Sequence, residues 1–114
     1  LADDLTRTPR PAATVARVPA GAPIIAFAHQ PVTFLDLPGR VAVMFAGHSH
    51  GGQVWLPLIG PPILPGRAPR RFAYGLIRER GSILYVTGGV GTSIIPVRFN
   101  MPPEIVLATV GRAT

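Results

Sequence analysis

The residues in this 114-residue sequence best suited to chemistry are three histidines, and each lies just past an uninterrupted apolar run. His29 follows Ile24-Ile25-Ala26-Phe27-Ala28, and His48 and His50 follow Val41-Ala42-Val43-Met44-Phe45-Ala46 and Gly47. Neutral imidazole is the commonest protein ligand for transition metals. If the stretch after the second run is extended, His48 and His50 face the same side, with Cα atoms roughly 6.5 Å apart from the strand rise. That separation lets each imidazole hold one of two metals lying ~3.5–4 Å apart. Gly47, Gly51 and Gly52 bracket the pair, so the backbone can turn sharply there and admit a bulky ligand. The competing reading is a set of hydrogen-bonded core histidines. Convergence of all three on neighbouring strand ends, where layered α/β sheets place their sites, favours metal.

The elements that must position these histidines are short. Ala12 to Val18 has room for two turns of helix, stopped by Pro19 and Gly21. Residues 24–28 and 41–46 read as buried strands, with a helical turn over Gln30 to Leu37 and a turn at Pro38-Gly39 between them. Neither apolar run alternates with polar residues, which predicts strands covered on both faces. One helix candidate cannot supply all of that cover, so the rest is expected from outside the sequence. Beyond residue 51 come a Pro- and Gly-rich loop over Gly60 to Pro69, and a hairpin of strands 73–79 and 82–87 joined through Arg80-Gly81. A glycine turn at Gly88 to Gly91 and a final strand over 104–109 complete the reading. The fold class is therefore α/β and β-rich.

Composition narrows the function classes. With 47% hydrophobic and 14% charged residues, the chain is not a charge-rich disordered tail. Thirteen glycines and fourteen prolines without a G-x-y period exclude collagen and argue against long helices. No apolar run approaches the ~20 residues of a membrane helix. The absence of cysteine removes disulfides, cysteine zinc sites and thiol nucleophiles. The net charge of +6 is carried by arginine alone and is scattered, apart from Arg67, Arg70 and Arg71. Such an excess suits nucleic acid, anionic lipid or a phosphorylated substrate equally, and also matches the codon bias of a GC-rich genome. Aromatic stacking clusters and known nucleic-acid motifs are missing, so no specific nucleic-acid partner is expected. A start at Leu1 with no signal peptide before it points to a segment of a longer chain.

Gly47-His48-Ser49-His50-Gly51-Gly52-Gln53 resembles the G-H-[ST]-H-G-G-Q signature of the calcineurin-like metallophosphoesterases. Ala28-His29-Gln30-Pro31 is similar to the single-histidine motif upstream of it, and Asp3-Asp4 to a G-x-D-D segment. Leu56-Pro57, Tyr74-Gly75, Tyr85 to Thr92, Pro96-Val97-Arg98-Phe99 and Pro102-Pro103-Glu104-Ile105 resemble the C-terminal pattern of a bacterial, often membrane-associated branch. That branch includes phosphodiesterases and UDP-diacylglucosamine pyrophosphohydrolases. The resemblance spans nearly all of the sequence.

It implies that residues 1–114 are the C-terminal part of a single domain, a layered α/β/β/α sandwich. It also implies a pair of divalent ions (Mn, Fe, Zn or Co) and hydrolysis of a phosphate ester or pyrophosphate by a metal-bridging hydroxide. In the family, the histidines matching His29 and His48 share one metal, and the one matching His50 binds the other. The earlier family motifs D-x-H, G-D-x-x-[DN] and G-N-H-[DE] are absent, so the site needs the missing N-terminal half, and this chain supplies no general acid or base of its own. The alternative is an inactive fragment or interaction module that keeps the β-core. Gly51, Gly52 and Arg98 are candidate substrate contacts. Arg98 reads as meeting a phosphate in bidentate fashion or as capping a surface carboxylate. Trp55 and Tyr74 read either as core or as a groove for a lipid-like leaving group, and Arg67, Arg70 and Arg71 as solvated or as facing anionic lipid headgroups. The resemblance places the protein in a bacterium, in the cytoplasm or at a membrane.

Overall fold

Short runs rich in Val, Ile and Phe, broken by Pro and Gly, become short strands rather than helices. The computed structural model describes residues 9–111. It contains helix α1 (Pro11–Ala16) and strands β1 (Ile24–Phe27), β2 (Val41–Ala46), β3 (Gly75–Glu79) and β4 (Ser82–Val86). Short 3₁₀ segments lie at Pro31–Asp36, His50–Gly52 and Arg70–Phe72. The strands form one sheet in the order β1-β2-β4-β3, with β1, β2 and β4 parallel and β3 antiparallel at the edge. This mixed sheet with few helices is the α/β class expected.

Proline starts both helical pieces, Pro11 in α1 and Pro31 in the first 3₁₀ turn, because a first-turn N–H needs no partner. Six residues are too few for a helix to persist unaided; α1 is held by burial of Pro11 and Val15. The β3–β4 connection is a two-residue turn in which Arg80 (φ 54°) and Gly81 (φ 76°) are both left-handed, the combination that matches the twist of a hairpin. Arg80 then donates to the carbonyls of Phe34 and Leu35 and lies 5.3 Å over the Phe34 ring, so it locks the turn onto the core.

Register places Ala26, Met44, Leu84 and Ile77 in one row across the sheet, and Phe27, Phe45, Tyr85 and Leu76 in the next. The first row lies under α1 and the 3₁₀ turns, where Phe34 meets Phe72 edge-on at 5.8 Å. The second row faces the other way, and Phe27 in it is 68% exposed. Among the described residues only one face is packed by a layer of helix and turns, in line with the expectation that this chain cannot cover both.

A second correction concerns residues 104–109, expected as a strand. Among the described residues, nothing after Val86 forms a strand. The segment passes instead over the exposed face, where Glu104, Ile105, Val106, Ala108 and Val110 wall a groove with Ile25, Phe27, Phe45 and Tyr85. Apolar, β-prone sequence needs a ladder partner to become a strand, and no described strand lies beside it. The N-terminal strand of the hairpin begins at Gly75 rather than 73, because the Arg70–Phe72 turn runs into Ala73 and Gly75 takes φ 87°. Asp3-Asp4 lies outside the described residues.

Candidate functional site

The three parallel strands end side by side, and each delivers a loop to the same edge. Beyond β1 and β2 the ladder continues through Ala28 N–H to Phe45 O (3.0 Å) and Gly47 N–H to His29 O (3.2 Å). Thr87 N–H to Ala46 O (2.9 Å) does the same for β4. These bonds carry His29 beside His48, with ring centroids 4.7 Å apart and planes tilted by 53°.

The H-x-H stretch is not extended, so the same-side strand spacing expected of its two histidines does not hold. His48 (φ 66°), His50 (φ 49°), Gly51 (φ 61°), Gly52 (φ 78°) and Gln53 (φ 59°) are all left-handed, with only Ser49 between them in the right-handed region. Left-handed backbone at non-glycine residues costs energy and concentrates at functional sites. Here it curls the loop so that His48 turns toward His29 while His50 turns toward the glycine loop after β4. A Cβ added at Gly89 or Gly91 would lie 3.9 Å from the His50 ring, and one at Gly66 would lie 3.5 Å from His48 Nε2. Gly66 belongs to the Pro-rich loop, which thereby passes over His48.

Three polar side chains hold this geometry, and the sequence reading assigned none of them a role. Ser49 is buried and donates to Ala73 O at 2.8 Å. Gln53, also buried, donates to Ile95 O (2.9 Å) and Val97 O (3.1 Å) and accepts from Ser93 N–H, clamping residues 93–97. Glu104 accepts from Tyr74 OH (2.7 Å), Thr87 OH (3.0 Å) and Gly88 N–H (2.9 Å). The available signals were polar residues inside the histidine motif and the only carboxylate after Glu79.

Arg98 commits its guanidinium to backbone carbonyls: Gly88 (2.6 Å), Gly89 (3.0 Å), Gly91 (3.0 Å from Nε) and Met101 (3.1 Å). It braces the glycine loop, and its charge also acts on the nearby Glu104 carboxylate. Gly51 and Gly52 are glycines because the packing is tight. A Cβ would sit 2.6 Å from Met101 at the first and 2.4 Å from Pro61 at the second. Tyr74 meets Trp55 edge-on at 6.4 Å. The arginine cluster disperses, with Arg70 donating to Pro61 O (2.5 Å) and Arg71 pairing with Glu79 (2.6 Å). Among the described residues, no group of three or more His, Asp or Glu side chains is gathered to hold a metal ion by itself. Among the described residues, too, no helix is long and apolar enough to cross a membrane.

Curated relatives match the chain over about three quarters of its length. The chain is 35% identical over 88 residues to the uncharacterized metallophosphoesterase YkuE of Bacillus subtilis, covering 75% of the chain and 30% of that protein. It is 35% identical over 91 residues to the phosphodiesterase YaeI of Escherichia coli, covering 77% of the chain and 32% of that protein. An uncharacterized metallophosphoesterase of Helicobacter pylori is 33% identical over 86 residues, covering 73% of the chain and 22% of that protein. The chain thus spans about a third or less of the length of these curated relatives. No family model matches the chain, and no solved structure does.

Proposed function

Because the chain is a relative of the C-terminal region of the calcineurin-like metallophosphoesterases, we propose that it supplies His29, His48 and His50 to a two-metal centre that hydrolyses phosphate esters. The observation that carries this reading is the pairing of the His29 and His48 rings at the ends of adjacent parallel strands. Its donor chemistry fits divalent transition metals, since imidazole suits Mn, Fe, Zn and Co alike. It fits as a share of a site rather than a whole one, and further ligands come from sequence upstream within the same domain. When bound, the metals supply Lewis acidity toward the phosphoryl oxygens and a nucleophile at neutral pH. The chain's own residues do the rest. His29 and His48 face one metal position and His50 a second, the left-handed loop fixes their orientations, and Gln53 and Arg98 brace the walls. Arg98 acts here as a positioning residue, its donors being engaged by the glycine loop.

Two measurements test the reading. Cobalt titration of the 114-residue chain should give weak binding that His29→Ala and His48→Ala each reduce; a chain that binds no cobalt would sink the histidine assignment. In a phosphodiesterase assay with Mn²⁺ or Zn²⁺, the chain alone should stay at the level of the blank. A longer polypeptide carrying the D-x-H, G-D-x-x-[DN] and G-N-H-[DE] motifs upstream should turn over and lose that activity in His48→Ala. Turnover by the 114-residue chain that disappears in His48→Ala would show instead that no outside ligand is needed.

A further inference from the structure

Glu104 sits where the C-terminal segment meets the loop that walls His50, and it is saturated with donors. One carboxylate oxygen accepts from Thr87 OH at 3.0 Å and Gly88 N–H at 2.9 Å; the other accepts from Tyr74 OH at 2.7 Å. Its own N–H donates to Gly89 O at 2.9 Å. Thr87 passes the constraint on, since its hydroxyl oxygen accepts from Gly89 N–H at 3.0 Å while donating to Glu104. From the opposite side Arg98 takes the carbonyls of Gly88, Gly89 and Gly91. A glycine-rich loop has the largest conformational entropy to lose of any sequence. Here the Gly88 N–H is held by the Glu104 carboxylate and the Gly89 N–H by the Thr87 hydroxyl, while a cation takes the carbonyls.

That loop has one neighbour of chemical interest. The Gly89 and Gly91 Cα atoms present their open faces to the His50 imidazole, so that a Cβ added at either would lie 3.9 Å from the ring. We propose that Glu104 is a positioning residue for His50. Through Thr87 and Gly88 it holds residues 87–91 as the rigid wall that sets the orientation of the His50 ring, without itself touching metal or substrate. The three donors on its carboxylate leave it poorly placed to ligate an ion, which separates this role from that of the histidines. The proposal takes the importance of His50 from the functional reading above; the wall and its geometry stand independently of it.

The test reads the His50 ring directly. In the full 114-residue chain, the imidazole carbon–proton resonances of the three histidines are assigned by single His→Gln variants. Glu104→Gln should shift or broaden the His50 resonance while those of His29 and His48 stay in place, and Thr87→Ser, which keeps the hydroxyl, should restore the wild-type pattern that Thr87→Val disturbs. If Glu104→Gln fails to fold, the Thr87 pair decides alone. An unmoved His50 resonance overturns the proposal, as does an equal displacement of all three histidines, which marks a general packing role. Where cobalt binds the wild-type chain, Glu104→Gln should weaken it by about 10–100-fold, the usual effect of an outer partner of a ligand. A chain that binds no cobalt yet shows the selective His50 shift refutes the metal reading and leaves the positioning role standing.

Discussion

At Gly52 a single methyl group decides whether the histidine loop can close. A Cβ there would lie 2.4 Å from Pro61 Cβ and 3.0 Å from Ile63 O, and φ is +78°. Overpacking and left-handed strain together make Gly52→Ala cost about 2–4 kcal/mol. Gly81→Ala has the same backbone sign but nothing within 4 Å, so it should cost only about 1 kcal/mol. Urea midpoints of the two variants check the difference, and equal losses would mean that Pro61 yields freely. The pair Tyr74 and Glu104 gives a pH signature. The Tyr74 phenol is pushed up to about 12, first by its hydrogen bond to Glu104, then by burial and the carboxylate's charge. Burial alone would raise Glu104, but the Gly88 N–H, the Tyr74 and Thr87 hydroxyls and the Arg98 charge outweigh it and hold the carboxyl low. A raised phenol stabilises the fold fully below its unfolded value, and that contribution fades as pH climbs from about 10 through about 12. A lowered carboxyl stabilises above its ordinary range and stops doing so as pH falls through the lowered value. Tyr85 is also raised, by burial and then by Glu104. Tyrosinate absorbance should therefore rise only above about pH 10, and Glu104→Gln should bring both phenols down, Tyr74 further; an unchanged titration would refute the coupling.

Among the elements, the strands were legible and their surroundings were not. Apolar runs ending in histidine located β1 and β2 because Val, Ile and Phe without polar alternation have few other uses. Arg80-Gly81 located the hairpin because a two-residue turn needs left-handed backbone that glycine supplies. Residues 104–109 misled for a physical reason: their β propensity is real, but a strand exists only with a partner, and sequence does not show which edges are free. The curl at His48 to Gln53 was likewise hidden. Histidine tolerates the left-handed region without announcing it, so an extended H-x-H looked as natural as the folded one. Gln53 and Glu104 went unassigned because a carboxylate or amide earns its role from backbone groups brought from far along the chain. Burial by element yields a sharp contrast. Phe34 is 1% exposed, set edge-on against Phe72 and covered by Arg80, so Phe34→Ala should cost about 3–5 kcal/mol. Phe27 is 68% exposed on the open face, and Phe27→Ser should change stability by less than about 0.5 kcal/mol. Denaturation of the two variants side by side measures the asymmetry of the sheet, and similar losses would mean that the open face is packed in solution.

Among the described residues the sheet has one face packed by helix and turns and one face crossed only by the C-terminal segment. Phe27 stacks on Phe45 at 5.4 Å and Phe45 meets Tyr85 at 6.3 Å, so the open face presents a continuous aromatic row. Apolar patches of this kind on a soluble chain drive association. The 114-residue chain should bind a hydrophobic dye and sediment in a concentration-dependent manner, and Phe27→Asp should reduce both; a monodisperse wild-type monomer would show that the C-terminal segment already shields the row. The strand order has a consequence in time as well as in space. β3 and β4 meet through two residues and form on the order of 1–10 μs, as hairpins do. β2 reaches β4 only after residues 47–81 have been looped between them, and β1 reaches β2 across residues 28–40. Long loops close late because their entropy is lost before the contacts that reward it are made. The hairpin is therefore expected to form first and to serve as the nucleus for the parallel strands. On this ordering, the edge that carries the His29–His48 pair and the His50 loop should assemble last. Pulse-labelled amide exchange should protect Ile77 and Leu84 before Ala28 and Gly47, so that a nascent chain acquires a scaffold well before it acquires a grip on any ion.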